Sequence, residues 1–307
     1  MPDYIQARKA LLPFYRDVPL YEQVEDTRFV LYKPPGITLG EMRISQGRHP
    51  EILFLRQSDR LEGIREAQTA LNEQLRKDAR SGNLVRVKET IVEIVDETLR
   101  EPRSGSLEGM ADTVNILVDS YSEQPDVIRQ LIDMSSTDYS TVLHSINVMA
   151  FSLLFAFYNG YSRSEAKWLG LSGLLHDVGK TRINKEILVA PRRLTSEEFE
   201  EMKRHTTIGY EILKRCRFEN EAVSLCALEH HEKLDGSGYP FGKSSISETA
   251  QIIGIIDCYE ALTNNDRPYR NAMEAFETLG QIIRKDVEAG KCSSRIFSLF
   301  VKSLSGK

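Results

Sequence analysis

The chain has 307 residues, with 41% hydrophobic and 28% charged side chains and a formal net charge of −5. These values describe a soluble globular protein with room for two domains. They exclude the basic footprint of a nucleic-acid polymer binder, although a local cation cluster or metal can still attract a small phosphate ligand.

The start, MPDYIQARKALLPFYRDV, has no apolar core flanked by a cleavage site, so no signal peptide is expected. Up to about Ser58, the runs VPLYEQV, RFVLYK and EILFLR read as strands and KPPGI as a turn. We expect a small α/β or β-rich module over 1–58, with a sensory or regulatory role. His49 precedes Pro50 there and reads as a surface-loop residue. Residues 59–106 read as a helical connector: EGIREAQTALNEQLRKDA and LVRVKETIVEIVDETLRE are charged helices interrupted at Gly82, and PRSGS ends them. The connector either dimerises the chain as a homodimer or packs on the neighbouring domain.

From Leu107 to the end, 107–307, the pattern is helical. VNILVDSY, TVLHSINVMAFSLLFAF, EAKWLGLSGLLHD, SEEFEEMKRHTTIGYEILKR, ENEAVSLCALEHHE, TAQIIGIIDCYEALT and AMEAFETLGQIIRKDV are the predicted helices. The fold class is therefore mainly α. Val148–Tyr158, the most apolar stretch, is read as too short to span a bilayer, so no membrane insertion is expected. The 4 cysteines, Cys216, Cys226, Cys258 and Cys292, form no CxxC pair. They read as reduced, packed thiols of a cytoplasmic protein.

Five of the 6 histidines lie in the helical part: His144, His176, His205, His230 and His231. Taken singly, His144 on an apolar helix reads as a core residue and His205 beside EEFEEMKR as a solvated one. Asp177 follows His176 at the end of an apolar helix, and Asp257 lies within AQIIGIIDCYEAL. Burying a carboxylate without a partner is costly, and a metal removes that cost. Together these side chains make an N/O ligand set without thiolate, suited to iron, manganese or zinc rather than calcium. Seven ligands are too many for one catalytic ion that keeps an open position. They fit two ions sharing one carboxylate, an arrangement used for displacement at phosphorus.

HDVGK at 176–180 and HHEKLDGSGYP at 230–240 resemble the HD-GYP domain, a branch of the HD phosphohydrolase superfamily, over roughly Leu107 to Phe300. The resemblance implies an all-helical domain that hydrolyses cyclic di-GMP to pGpG, and further to GMP, in bacterial signalling. It implies two divalent metals, iron first and manganese second. His144, His176, Asp177 and Asp257 would hold one, and Asp177 would bridge to a second held by His205, His230 and His231. Neighbouring side chains in a helix point about 100° apart, so a frayed or tightened helix end is expected at His230–His231. Lys180 resembles the family's phosphate-contacting, catalytic lysine. Tyr239 is placed near the pocket mouth, and Arg267 and Arg270 resemble phosphate-binding positions. The resemblance also implies a GGDEF-type partner, so a weakly active or inactive binding protein is the alternative.

This chain departs from the family pattern in places. Ser140 stands where some members carry a third-metal glutamate, so a two-metal centre is expected. Glu260 replaces an aspartate, one residue is added before Arg267, APRR replaces KPG at 190–193, and CSSRIF replaces FDP at 292–297. Asp235 and Glu232 are read as turn-stabilising groups rather than general acids.

Overall fold

The computed structural model describes residues 3–46, 49–123, 128, 131–132, 141–263 and 277–305. The chain divides into two compact units, 1–76 and 77–307. It is mainly α, with a small sheet near the N-terminus.

In the first unit, strands β1 (Tyr4–Gln6), β2 (Leu20–Glu25), β3 (Arg28–Lys33) and β4 (Phe54–Arg56) form an antiparallel sheet in the order β1-β4-β2-β3. Three of these lie in the runs expected to be strands. Strand β1 and helix α1 (Leu39–Gln46) were not expected. His49 is not a free loop residue. Its Nδ1 lies 2.8 Å from the Tyr32 hydroxyl and its Nε2 2.9 Å from the Leu39 carbonyl. Lys33 is fully buried, and its ammonium donates to the carbonyls of Arg16, Pro34 and Ile37 at 2.8, 3.0 and 2.9 Å. That cation pins the KPPGI turn, where Gly36 takes a φ of +91°.

Helix α2 (Arg60–Ser81) crosses the unit boundary, Gly82 turns the chain at φ +68°, and α3 (Leu84–Arg100) follows with Asn83 as its cap. The second unit continues with α4 (Met110–Glu123), α5 (Thr141–Tyr158) and α6 (Arg163–Leu175). A 3₁₀ turn at Val178–Arg182 and α7 (Lys185–Leu188) come next. Then follow α8 (Ser196–Lys203), α9 (His205–Lys214), α10 (Ala222–Glu229) and α11 (Glu248–Thr263). A π-helical segment at Thr278–Ile283, α12 (Arg284–Glu288) and α13 (Ser294–Ser305) end it. The run SEEFEEMKRHTTIGYEILKR, expected to be one helix, breaks at Arg204 into α8 and α9. The break lets His205 open a helix of its own. Helix α13 went unpredicted.

Helix α5 is apolar on all sides and forms the axis of this unit, packed against α3, α6, α11 and α13. By length and composition it reaches what a membrane span requires, contrary to the shorter stretch read from sequence, but 67% of it is buried inside the protein. Helix α6 starts with a capping box: Ser162 Oγ accepts from the Glu165 N–H, and the Glu165 carboxylate accepts from the Ser162 N–H at 2.8 Å. Thr195 and Glu198 repeat the device at α8.

Replacing Lys33 by Met removes three charge-assisted hydrogen bonds and leaves three part-buried carbonyls without that donor. We expect a loss of about 2–3 kcal/mol in the first unit, read as earlier proteolysis or hydrogen exchange within residues 3–59, with protection of α5 unchanged.

Candidate metal centre

Each presumed ligand owes its position to a particular local feature. His144 sits in the second turn of α5, His176 caps the end of α6, and Asp177 opens the 3₁₀ turn that carries Lys180. His205 opens α9, and Asp257 lies midway along α11. Helix α10 ends at Glu229, and the Glu232 N–H bonds to the Glu229 carbonyl at 2.8 Å. The helix end is thus tightened at His230–His231, as expected, and the two rings lie 4.1 Å apart, tilted by 43°.

Glycines bring these elements together. A Cβ on Gly179 would lie 1.9 Å from the His205 carbonyl oxygen, one on Gly254 would lie 2.5 Å from the His230 carbonyl oxygen, and one on Gly173 would lie 2.8 Å from Ser152 Oγ. Gly173 and Gly254 stand three residues before His176 and Asp257. The bare backbones let two ligand-bearing elements touch where a side chain would hold them apart.

Seven side chains converge in two groups. The ligand atoms of Asp177, His205, His230 and His231 lie within 4.8 Å of one another, as do those of His144, His176 and Asp257. Asp177 faces both groups. Its Oδ2 is 3.3 Å from His176 Nε2 and 3.5 Å from His144 Nε2, while its Oδ1 is 3.3 Å from His205 Nε2 and 3.8 Å from His230 Nε2. Asp257 Oδ1 is 3.1 Å from His144 Nε2. Lys180 Nζ contacts Asp177 Oδ2. Arg267, Arg270 and Ser140 lie outside the described residues.

The outer ring nitrogens are engaged. His176 Nδ1 is 2.7 Å from the Gly173 carbonyl, His205 Nδ1 2.6 Å from Met202, and His230 Nδ1 3.1 Å from both Cys226 and Ala227. A carbonyl can only accept, so each Nδ1 carries the proton and each Nε2 presents a lone pair to the centre. His205 Nε2 and His230 Nε2 then face each other at 3.4 Å, lone pair against lone pair. His176 Nε2 and Asp177 Oδ1 are buried without a hydrogen-bond partner among the described residues. Such acceptors, converging without donors, fit a bound cation.

Protonation follows the same logic. Burial lowers His205 to about 4 and His230 to about 3, and lowers His231 well below its ordinary value. Burial opposes ionisation of Asp177, but the Lys180 charge and the His176 ring outweigh it and hold the carboxyl well below its usual range. Asp257 is likewise depressed against its burial, by the hydrogen bond and charge of His144. At neutral pH these groups are in the forms a metal requires. His144 differs: burial opposes its charge, yet Glu260, aided by Asp257, raises it to about 9.

Sequence reading gave Glu260 no task. It takes His144 Nδ1 at 2.5 Å and Asn147 Nδ2 at 2.8 Å, and so orients a presumed ligand. The signals were a carboxylate three residues after Asp257 on a largely apolar helix and its place at an aspartate of the resembled family. Glu232 accepts from the N–H groups of Phe241 and Lys243 at 2.8 and 3.0 Å, and Asp235 accepts from the Ser237 N–H and hydroxyl. Both therefore stabilise the loop. A Cβ on Gly238 would lie 2.4 Å from Glu232 Cα, so the loop folds tightly back and stacks Tyr239 on His231 with ring centres 4.6 Å apart. Burial raises the Tyr239 hydroxyl, which therefore keeps its proton.

A helical unit with a buried His/Asp centre fed by an HD pair and a GYP loop defines the HD class of proteins. The HD domain family model matches residues 127–288, more than half of the chain. The chain belongs to the HD domain family, in its HD-GYP branch. It is 33% identical over 187 residues to the cyclic di-GMP phosphodiesterase PA4108 of Pseudomonas aeruginosa, covering 60% of this chain and 44% of that one. It is 39% identical over 139 residues to the 3′3′-cGAMP-specific phosphodiesterase 1 of Vibrio cholerae, covering 45% and 32%. With the cyclic di-GMP phosphodiesterase response regulator RpfG of Xanthomonas campestris the values are 40% over 116 residues, 37% and 30%. The chain thus spans less than half the length of each of these relatives. Bd1817, an HDG"Y"P protein from Bdellovibrio bacteriovorus, has a similar fold: TM-score 0.64 at 16% identity, covering 99% of this chain and 100% of that one.

Gly179→Ala drives a methyl group into the His205 backbone, a clash with no flexible side chain to yield. We expect destabilisation of about 3 kcal/mol or more, measured by denaturant unfolding. Ala at Gly290, which has open space but φ +74°, should cost roughly 1 kcal/mol.

Proposed function

We propose that the chain is a metal-dependent phosphodiesterase that hydrolyses cyclic di-GMP to pGpG, and further to GMP. The observation that carries this reading is the divided aim of Asp177, whose two oxygens face two separate imidazole groups. Seven N/O ligands arranged around one shared carboxylate suit a two-metal centre, with iron the first candidate and manganese the second. The names of the relatives support a cyclic dinucleotide as substrate.

His144, His176, Asp177 and Asp257 would hold one ion, and Asp177, His205, His230 and His231 the other. The chemistry such ions supply when bound is Lewis-acid polarisation of phosphoryl oxygens and a lowered pKa of water. The protein's own groups do the rest. Backbone carbonyls fix the rings of His176, His205 and His230, and Glu260 fixes that of His144, so the centre is preorganised. Lys180 brings a positive charge to the shared carboxylate, within the reach of a phosphoryl oxygen bound there. Tyr239 offers a neutral O–H donor beside His231.

A second reading, a cyclic di-GMP-binding protein of low turnover that contacts a GGDEF-type partner, draws on Phe241. This ring follows the GYP triplet directly and is 61% exposed.

Metal analysis of anaerobically purified protein, paired with a cyclic di-GMP turnover assay, separates the readings. The enzyme reading expects about two ions per chain, with turnover lost in Asp177→Ala and lowered roughly 10²–10³-fold in Lys180→Ala. Full metal occupancy without turnover would replace it with the binding reading. A parallel assay with 3′3′-cGAMP tests the substrate, and faster turnover of it than of cyclic di-GMP would move the assignment to the mixed dinucleotide.

Glu260→Gln keeps the shape of the His144 partner but removes its charge. Chelator competition should show about a tenfold loss of metal affinity for Gln and up to about a hundredfold for Ala. Unchanged affinity in both would remove Glu260 from the centre.

A further inference from the structure

The helical unit carries a second cleft, separate from the histidine centre, with a volume of about 400 Å³. Arg103, Arg182 and Arg215 line it together with Glu211, and Pro102 and Ile208 supply apolar wall. The elements that meet here matter. Arg182 ends the 3₁₀ turn that carries Lys180. Ile208, Glu211 and the residue before Arg215 belong to α9, which His205 opens. Pro102 and Arg103 form the turn between α3 and α4.

The charge on the cleft is not matched by its surroundings. Arg103 bridges Glu101 at 3.3 Å. Among the described residues, the guanidiniums of Arg182 and Arg215 make neither an ion pair nor a hydrogen bond. The hydroxyls nearby have already spent their protons, Ser104 on Glu108 and Thr207 on the Arg204 carbonyl. Glu108 in turn accepts from the N–H groups of Gly105 and Arg217. Among the described residues, the cations of the cleft left without an acidic partner are therefore the forks of Arg182 and Arg215, which suit a phosphate. Beside them stand an apolar wall suited to the face of a flat ring and one exposed carboxylate, Glu211. A carboxylate accepts from the adjacent N–H groups of a guanine edge, which adenine does not offer.

We propose that this cleft binds a guanine nucleotide through its terminal phosphate. Arg182 and Arg215 take the phosphate, Pro102 and Ile208 cover the base, and Glu211 accepts from its N1–H and exocyclic amine. A nucleotide held there ties the turn after α3 to the two elements that present Lys180 and His205. The groups lining the cleft set this ligand class independently of any turnover at the metal centre.

The test is isothermal titration of the metal-loaded chain with GMP, AMP and inorganic phosphate. It is repeated on the R182Q/R215Q double variant and on Glu211→Gln. All three residues are exposed, so the variants should melt as the parent does. We expect saturable GMP binding that weakens at least tenfold in the double variant, and a preference for GMP over AMP that disappears in Glu211→Gln. Nucleotide held at the histidine centre would persist in the double variant. An unchanged GMP titration there therefore overturns the proposal, as does the absence of saturable GMP binding to the parent. Inorganic phosphate binding as tightly as GMP overturns the nucleotide assignment. Loss of cyclic di-GMP turnover alone bears on the preceding reading and leaves this one standing.

Discussion

The helical unit is organised around one buried carboxylate that must meet groups from five segments. Asp177 contacts imidazoles from α5, α6, α9 and the end of α10, and the ammonium of Lys180 from its own turn. Packed helices ordinarily keep their axes 8–10 Å apart. Bringing so many ligand-bearing elements within a few ångströms of one side chain requires backbones to touch without intervening side chains. Gly173, Gly179 and Gly254 stand at those contacts, each next to or three residues from a presumed ligand. The position of the site and the packing of the core are therefore one constraint.

That constraint gathers groups that repel one another unless a cation lies among them. Carbonyls hold the Nδ1 protons, so the inner nitrogens of His176, His205 and His230 all point lone pairs at the same small volume. Two ionised carboxylates lie among them. Among the described residues, compensating cation character comes from Lys180 and from the His144 ring, whose pKa Glu260 raises. Among the described residues, the apolar surroundings do little to relieve the rest. A ligand that binds the folded state and not the unfolded chain stabilises the fold. The two clusters of imidazoles and carboxylates suit cations for that part.

Much of this was legible in the residues, and what was not has physical reasons. The ligands could be picked out because buried acids and imidazoles are costly on apolar helices, which makes Asp177 and Asp257 conspicuous. Glu260 was hidden because a carboxylate near a helix end has many cheaper explanations. Its partner His144 is 116 positions away. The glycines were hidden because their role lies in what a Cβ would strike, which only the folded backbone reveals. The break at Arg204 was hidden because α8 and α9 continue one amphipathic pattern. Helix α1 and strand β1 lacked strong periodicity, and their formation depends on partners elsewhere in the first unit. The arginine cleft could not be read at all, since its residues come from three separated stretches of chain.

The contiguous motif 230–240 is the exception, and its compactness explains why it is so readable. A helix end tightened by the Glu232 N–H places two successive imidazoles side by side, which a regular helix interior would point about 100° apart. The side chain of that same Glu232 holds the returning arm of the loop through Phe241 and Lys243. Gly238 lets the loop press against Glu232 closely enough to set Tyr239 on the His231 ring. Two presumed ligands, the clamp, the close approach and the aromatic cover are thus consecutive parts of a single local fold. Because they are adjacent in the chain the motif reads as one stretch, whereas the remaining ligands arrive from wherever the helices bring them.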